Sequence, residues 1–335
     1  MDLIVTLNSN CNFACDFCSS SNLPKQEPDS IANDPDIYID FLKNYIKRHK
    51  VNYLIINGGE PLLVPIDTWY KLVGMINDNE LPVSVSCTSN LWEFYKNPDK
   101  WTELFTQNIV PIDVTTSFQY GTGRKLADGT VFTEELFRKV FNCFAEHTGK
   151  KPPFIAVINE GNEKDALKHI QLAKELGTTC RLNGMVMSGR AGSMYPFYKM
   201  WNLWLDIIEA GLSEYEMNSQ IIKAAWQGQD TPCPFNSNCG NKIKCFNPDG
   251  SITRCGSLSD DMLEKNNPLL GYIHEYIDLP FMYRYLKPSC VNCRFCNICN
   301  SCHKRVFDIK RSGQDEQHCL GMKQLLNRTM EILGG

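Results

Sequence analysis

Ten residues from its start the chain reads Cys11-Asn-Phe-Ala-Cys15-Asp-Phe17-Cys18, a C-x3-C-x2-C spacing that directly follows the apolar run Leu3-Ile4-Val5-Thr6-Leu7. Thiolates so spaced can hold three irons of a four-iron, four-sulfur cluster and leave the fourth without a protein ligand, open to chemistry. Spacing alone also allows a zinc site or unrelated buried thiols. A second candidate is Gly58-Gly59-Glu60-Pro61: two glycines let the backbone approach a ligand closely, and a carboxylate can balance a bound amine. The third is the tail, where ten of the 16 cysteines lie between 233 and 319. There Cys290, Cys293, Cys296, Cys299 and Cys302 form an unbroken x2 ladder, which taken alone reads as a zinc ribbon.

Positioning these groups is the work of alternating apolar and amphipathic segments, the pattern of β/α units around a parallel sheet. Strands are predicted over 3–7, 51–57, 83–88, 110–117, 153–159 and 179–187. Helices are predicted over 36–49, 66–77, 98–107, 133–147, 163–176 and 195–211. Asp34-Pro35 opens the first, with Ile37, Phe41, Tyr45 and Ile46 on one face; Asn97-Pro98 opens the third; Asn162 opens the fifth and Gly177 closes it. Six right-handed crossovers curl such a sheet into an open partial barrel, with ligands at the carboxyl ends of the strands. The expected fold class is therefore α/β: a partial (β/α)6 TIM-like barrel over 1–212, a helical linker over 213–232, and a small cysteine-rich domain over 233–335. The aromatic group Tyr195, Phe197, Tyr198, Trp201 and Trp204 reads as core.

The composition, 43% hydrophobic and 21% charged with net charge -4 in 335 residues, is that of an ordinary globular protein and gives no nucleic-acid surface. The basic run His303-Lys304-Arg305 with Lys310-Arg311 reads as a solvated face. No apolar stretch reaches the roughly 18 residues of a membrane span, and no signal peptide is evident. A cytoplasmic location is expected, where so many cysteines point to metal or clusters rather than disulfides.

Phe17, immediately before Cys18, completes a loop that resembles that of the radical S-adenosylmethionine (SAM) superfamily. The resemblance implies an open iron that takes the amino and carboxylate groups of SAM. It also implies cleavage by one electron to a 5'-deoxyadenosyl radical, which abstracts hydrogen from unactivated carbon. By the same resemblance Gly58, Gly59 and Glu60 hold the SAM ammonium. Thr88, Ser89 and Asn90 stand where the family shows Thr-Asn-Gly near the ribose. Ser117 and Arg124 meet the SAM carboxylate, with Gln119 in place of the family's Asp two residues on. Ser188-Gly189-Arg190-Ala191-Gly192 resembles a Gly-Arg-Ala turn that closes the barrel, read evenly as a turn or as a SAM contact through Arg190.

The tail resembles the SPASM extension, which holds two auxiliary four-iron clusters. Carried over by position, Cys239, Cys245, Cys255 and Cys302 would hold the first, and Cys290, Cys293, Cys299 and Cys319 the second, with Gly250 preceding Cys255. A C-x2-C step replaces the usual C-x3-C, and Cys296 is an extra thiol, so which four of the five ladder cysteines ligate stays open. The implied cofactors are SAM and three 4Fe-4S clusters. The resemblance points to oxidative modification or cross-linking of a peptide or protein side chain, with an external electron donor such as flavodoxin or ferredoxin. Sulfatase maturation fits less well, because Gly256 follows Cys255 where those relatives have an Asp. The alternatives are a radical SAM enzyme of a small metabolite and, in another class, a non-catalytic zinc-binding module. The general base or hydrogen donor has no assignment; Gln119 and Tyr120 are only neighbours of the expected site.

Overall fold

The computed structural model describes residues 1–22, 34–106, 110–235, 242–247, 252–253 and 287–334. The predicted alternation is realised as β1 (Asp2–Thr6), α1 (Pro35–Arg48), β2 (Tyr53–Asn57), α2 (Ile66–Asp78), β3 (Ser84–Thr88), α3 (Trp92–Lys96), α4 (Pro98–Thr106), β4 (Ile112–Ser117), α5 (Glu134–Thr148), β5 (Phe154–Ile158), α6 (Ala166–Leu176), β6 (Cys180–Gly184) and α7 (Phe197–Glu209). These strands pair in parallel in the order β6-β5-β4-β3-β2-β1, as short βα crossovers require. Each strand alternates: Leu54 and Ile56 of β2, or Phe154, Ala156 and Ile158 of β5, are buried against helices, while Ile155 and Val157 line an open interior. The curl of a parallel sheet gives it both faces, one packed and one available.

After α8 (Met217–Trp226) the chain adds β7 (Ile243–Phe246), which pairs in parallel with β1 in the register Asp2↔Ile243 through Val5↔Phe246, and β8 (Ile252–Thr253), antiparallel to it. Neither strand was expected, so the sheet continues past residue 233. The tail then folds into α9 (Cys296–Cys299), α10 (His303–Arg311), α11 (Asp315–Gln324) and α12 (Leu326–Leu333).

Capping explains the helix boundaries. Asp34 accepts from the Asp36 and Ile37 N–H groups at 3.0 and 3.2 Å, with Pro35 at the first position. Gly177, at φ +68°, closes α6 as expected. Two expectations fail. Ile37 is 57% exposed, although the rest of the expected face turns inward: Ile46 is buried and Phe41 and Tyr45 pack partly buried against the core, with Tyr38, Ile39 and Leu42 buried beside them. Asn162 caps no helix N–H: its amide accepts from Asn159 N–H at 2.8 Å and donates to the carbonyls of Val157 (2.9 Å) and Tyr120 (3.3 Å), stitching two strand ends together. The aromatic group is core as read: Trp201 is fully buried, and its indole N–H donates to Thr329 at 3.0 Å, fastening α7 to α12. No helix among the described residues is long and apolar enough to cross a membrane.

His169 ties α6 to the end of β4. Its Nε2 accepts the Tyr120 N–H at 3.0 Å and its Nδ1 faces the Asp165 carbonyl at 3.0 Å, so the neutral Nδ1–H tautomer satisfies both. Burial pushes its pKa down to about 4. A folded value below the unfolded one of about 6.5 contributes stability that is complete above pH 6.5 and lost as pH falls through about 4. In urea titrations of the metal-free chain, His169→Gln should therefore lose about 3 kcal/mol less than wild type between pH 7 and pH 4. Equal pH slopes in the two proteins would show that His169 is not the titrating group.

Candidate metal centre and cofactor pocket

All carboxyl ends of the parallel strands lie at one end of the sheet, and there the segments singled out by sequence meet around the cysteine loop. The Gly59 and Glu60 N–H groups donate to the carbonyls of Asn8 and Asn10 at 3.0 and 2.6 Å, and the Asn8 amide donates back to the Glu60 carbonyl at 3.1 Å. A Cβ at Gly59 would lie 2.0 Å from the Asn10 oxygen, and one at Gly58 (φ +139°) 2.5 Å from that of Asn8. The glycines are thus required by one loop pressing on another. From a second side the segment after β4 grips the loop: Ala14 N–H donates to Lys125, Asp16 N–H to Gly123, and Ala127 N–H to Asn12, all near 2.8–2.9 Å. From a third, Arg190 N–H donates to the Cys18 carbonyl at 3.0 Å, and Gly189 (φ +59°) sits where a Cβ would meet that oxygen at 2.3 Å. The Gly189-Arg190 turn therefore closes on the cysteine loop itself.

Cys11 is exposed, Cys15 buried and Cys18 partly buried. Among the described residues no three His, Cys, Asp or Glu side chains converge on a single ion-sized point; a four-iron cluster asks for another arrangement, one thiolate to each iron. The fit of this donor set to an anionic cluster rests on Arg124. It is 5% exposed, its Nη1 donates to Ser117 Oγ at 2.9 Å, its guanidinium lies 5.2 Å from the Phe17 ring, and its Nε has no partner among the described residues. Burial pushes its pKa down, while the nearby thiols of Cys15, Cys18 and Cys11 favour its charge. A buried cation with an unpaired donor beside three cysteines suits an anionic group bound at the loop. The predicted pair Ser117 and Arg124 is brought together.

Glu60 is 1% exposed and spends its carboxylate inside the protein: it accepts from Ser89 Oγ at 2.6 Å, Asn90 N–H at 2.8 Å and Leu62 N–H at 3.1 Å. Burial raises its pKa to about 7 against the opposing pull of those three hydrogen bonds. Ser89 and Asn90 are therefore joined to Glu60, and the Asn90 amide reaches Asn12 Oδ1 at 2.7 Å and Cys11 Sγ at 3.9 Å. Thr88 stays on β3, opposite Thr115, half-buried. The asparagines at 8 and 12 were missed by sequence reading; their clustering about Cys11 in Asn8-Ser-Asn10-Cys11-Asn12 was the available signal, whereas Asn162 was read only as a helix start.

Two cavities open beside the loop. One of about 290 Å3 is lined by Phe17, Gln119, Tyr120, Asn162, Met185 and Arg190. The other, about 370 Å3, lies between the inner faces of β5 and β6 and the tail, with Phe17, Arg181, Asn183, Met185, Tyr195 and Asp308 in its wall. Gln119 is 1% exposed and accepts the Val157 N–H at 3.3 Å. Tyr120 donates to Glu134 at 2.9 Å.

The basic run of the tail is solvated only at its far end, where Arg311 is exposed and Lys310 pairs with Asp315 at 2.9 Å; Lys304 and Arg305 are buried. Lys304 and Asp308 are 3% and 1% exposed and pair at 2.9 Å; Lys304 donates to the Met187 carbonyl at 3.0 Å, and the Met187 N–H to Asp308 at 3.2 Å. Arg305 is 8% exposed, donates to the carbonyls of Ile298 and Pro234 at 2.7 and 3.0 Å, and lies over the Phe197 ring at 3.5 Å. The reason is the tail itself: α10 docks on the chain leaving β6, so its first turn brings Lys304 and Arg305 inward to meet backbone carbonyls.

Of the tail cysteines, Cys290, Cys293, Cys299 and Cys319, the four assigned to one cluster, all line a single cavity of about 90 Å3, together with Cys296 and His318. Of the other predicted set, Cys239 and Cys255 lie outside the described residues, as does Gly250. Cys245 is buried on β7, opposite Ile4, and Cys302 faces the barrel cavity beside Cys233.

A family model described as a 4Fe-4S single cluster domain matches residues 3–131. No curated protein sequence matches the chain. Among solved structures, native anSMEcpe with bound AdoMet aligns at TM-score 0.69 and 13% identity over 100% of this chain and 99% of that one. Native anSMEcpe with bound AdoMet and Cp18Cys peptide aligns at 0.67 and 12% over 99% and 98%. At these identities the likeness is one of fold. With its C-x3-C-x2-C loop at the mouth of a curled parallel sheet, this chain resembles the radical SAM superfamily in sequence and has its partial-barrel fold.

Proposed function

We propose that the chain is a radical SAM enzyme that modifies a peptide or protein side chain. The observation that carries the reading is the convergence on one cysteine loop of the Gly58-Gly59 turn, the Arg124–Ser117 pair and the Gly189-Arg190 turn. Cys11, Cys15 and Cys18 would hold a four-iron cluster; when bound, it supplies the electron that cleaves SAM to methionine and a 5'-deoxyadenosyl radical. The chain's own part is to position. Arg124, buried and short of a partner at Nε, offers charge to the SAM carboxylate, with Ser117 orienting the guanidinium. The cavity against Met185 and Gln119 accommodates the nucleoside, and Phe17 stands between that cavity and the larger one, where a substrate carbon would lie within reach of the radical. Abstraction of hydrogen from that carbon would give 5'-deoxyadenosine.

The product-forming step needs the substrate radical to lose one electron, and the tail cysteines would hold the clusters that receive it. The first electron comes from outside, from a flavodoxin or ferredoxin. For the substrate, the larger cavity combines Met185, Met194, Met200 and Tyr195 with Arg181 and Asn183, a lining that suits a side chain presented with its polar backbone. The similar structure of anSMEcpe with bound AdoMet and Cp18Cys peptide supports the same class. Three clusters, residues 233–335 as the auxiliary domain, and oxidoreductase chemistry belong to this proposal.

The test is SAM binding to the anaerobically reconstituted protein. Arg124→Met keeps the bulk but loses a charge-assisted contact of about 1.5–3 kcal/mol, so affinity should fall about ten- to a hundred-fold with iron content retained. Unaltered SAM affinity at full iron content would remove Arg124 from the SAM pocket.

A further inference from the structure

We propose that His318 donates a ring N–H to a sulfur of the iron–sulfur cluster held in the tail cavity and thereby raises that cluster's reduction potential. The inference rests on the reading of the tail as cluster-binding. His318 is 7% exposed, and neither Nδ1 nor Nε2 has a hydrogen-bond partner among the described residues. Folded proteins seldom leave buried polar atoms unpaired, and such an atom points to a group that completes the site. The ring lines the same 90 Å3 cavity as Cys290, Cys293, Cys296, Cys299 and Cys319. The wall also includes the apolar Phe295, Val306, Ile309 and Met322 and the polar Lys287, Asn300, Lys310, Asp315 and Lys323, none of which hydrogen-bonds the ring. A group held by the five cysteines around the ring supplies the missing partner.

Ligation by His318 is the less economical arrangement, because a four-iron cluster needs four protein ligands and five thiols already surround the cavity. A neutral imidazole always carries one N–H and a charged one carries two, so a donor is available in every protonation state. Hydrogen bonds to the sulfurs favour the more negative, reduced cluster and are one of the levers that set its potential. Placement follows from the chain: His318 and Cys319 are neighbours on α11, so the helix that brings the ligand brings the donor. His318 lies 6.0 Å from the Phe197 ring on which Arg305 stacks. The role is one of tuning: it sets how readily the cluster accepts an electron.

The experiment is an EPR-monitored redox titration of the full-length, reconstituted protein with Cys11, Cys15 and Cys18 all replaced by alanine, so that tail signals stand alone. His318→Leu should shift one tail midpoint to lower potential by about tenfold in the reduced-to-oxidised ratio, about 59 mV for one electron. His318→Gln, which keeps an N–H at similar reach, should return it toward the parent value, with iron content equal in all three. An unshifted midpoint in His318→Leu at full iron content overturns the donor role, and so does loss of tail iron in both variants, which would mean ligation or packing. Absence of tail iron from the parent protein itself would instead overturn the reading of the tail, and the proposal with it.

Discussion

Cys15→Ala should abolish release of 5'-deoxyadenosine and remove about four of roughly twelve bound irons, on four irons in each of three clusters. Cys15 is the buried member of the loop, and its neighbours are fixed by backbone: Ala14 and Asp16 donate to Lys125 and Gly123, and the Cys15 carbonyl accepts from Cys18 N–H at 3.3 Å. A loop held on both sides of the missing thiol cannot swing another cysteine into its place. The expected loss of activity is complete, because two remaining ligands do not retain a cluster with one open iron. Iron analysis beside chromatographic detection of the nucleoside checks both parts; full turnover in the variant would remove Cys15 from the ligand set.

The second large effect is at Glu60. Glu60→Ala leaves the Ser89 hydroxyl and the N–H groups of Asn90 and Leu62 buried without an acceptor, each at a cost of about 1–3 kcal/mol. Relaxation and entering water recover part of this, so a net loss of about 3 kcal/mol is expected in the metal-free chain by urea unfolding. The Asn90 amide also loses its anchor beside Asn12 and Cys11, so iron loading should fall with stability. Unchanged stability combined with weakened SAM binding would return Glu60 to the role that the family resemblance implies, a direct partner of the SAM ammonium.

Much of the architecture was legible because it is local. The six strands of the partial barrel follow from apolar runs of about five residues, each followed by a helical period and a cap such as Asp34 or Gly177. What escaped was decided by distant contacts. β7 is four residues long and becomes a strand by lying beside β1, which no local pattern announces. Lys304 and Arg305 read as solvated because charge is the local signal, whereas the carbonyls of Met187, Ile298 and Pro234 that draw them inward belong to other segments. At the site, the cysteines and the Gly-Gly-Glu turn were visible as spacing. That Glu60 is committed to Ser89, Asn90 and Leu62 depends on where β3 ends relative to β2, which only register determines.

The claim on which the rest depends is that the Cys11, Cys15 and Cys18 loop supports reductive cleavage of SAM. Wild-type protein, reconstituted with iron and sulfide under strict anaerobiosis and given SAM with dithionite, should release 5'-deoxyadenosine and methionine in equal amounts, and none without reductant. Protein that carries its full complement of iron, binds SAM and yet yields no 5'-deoxyadenosine would contradict it.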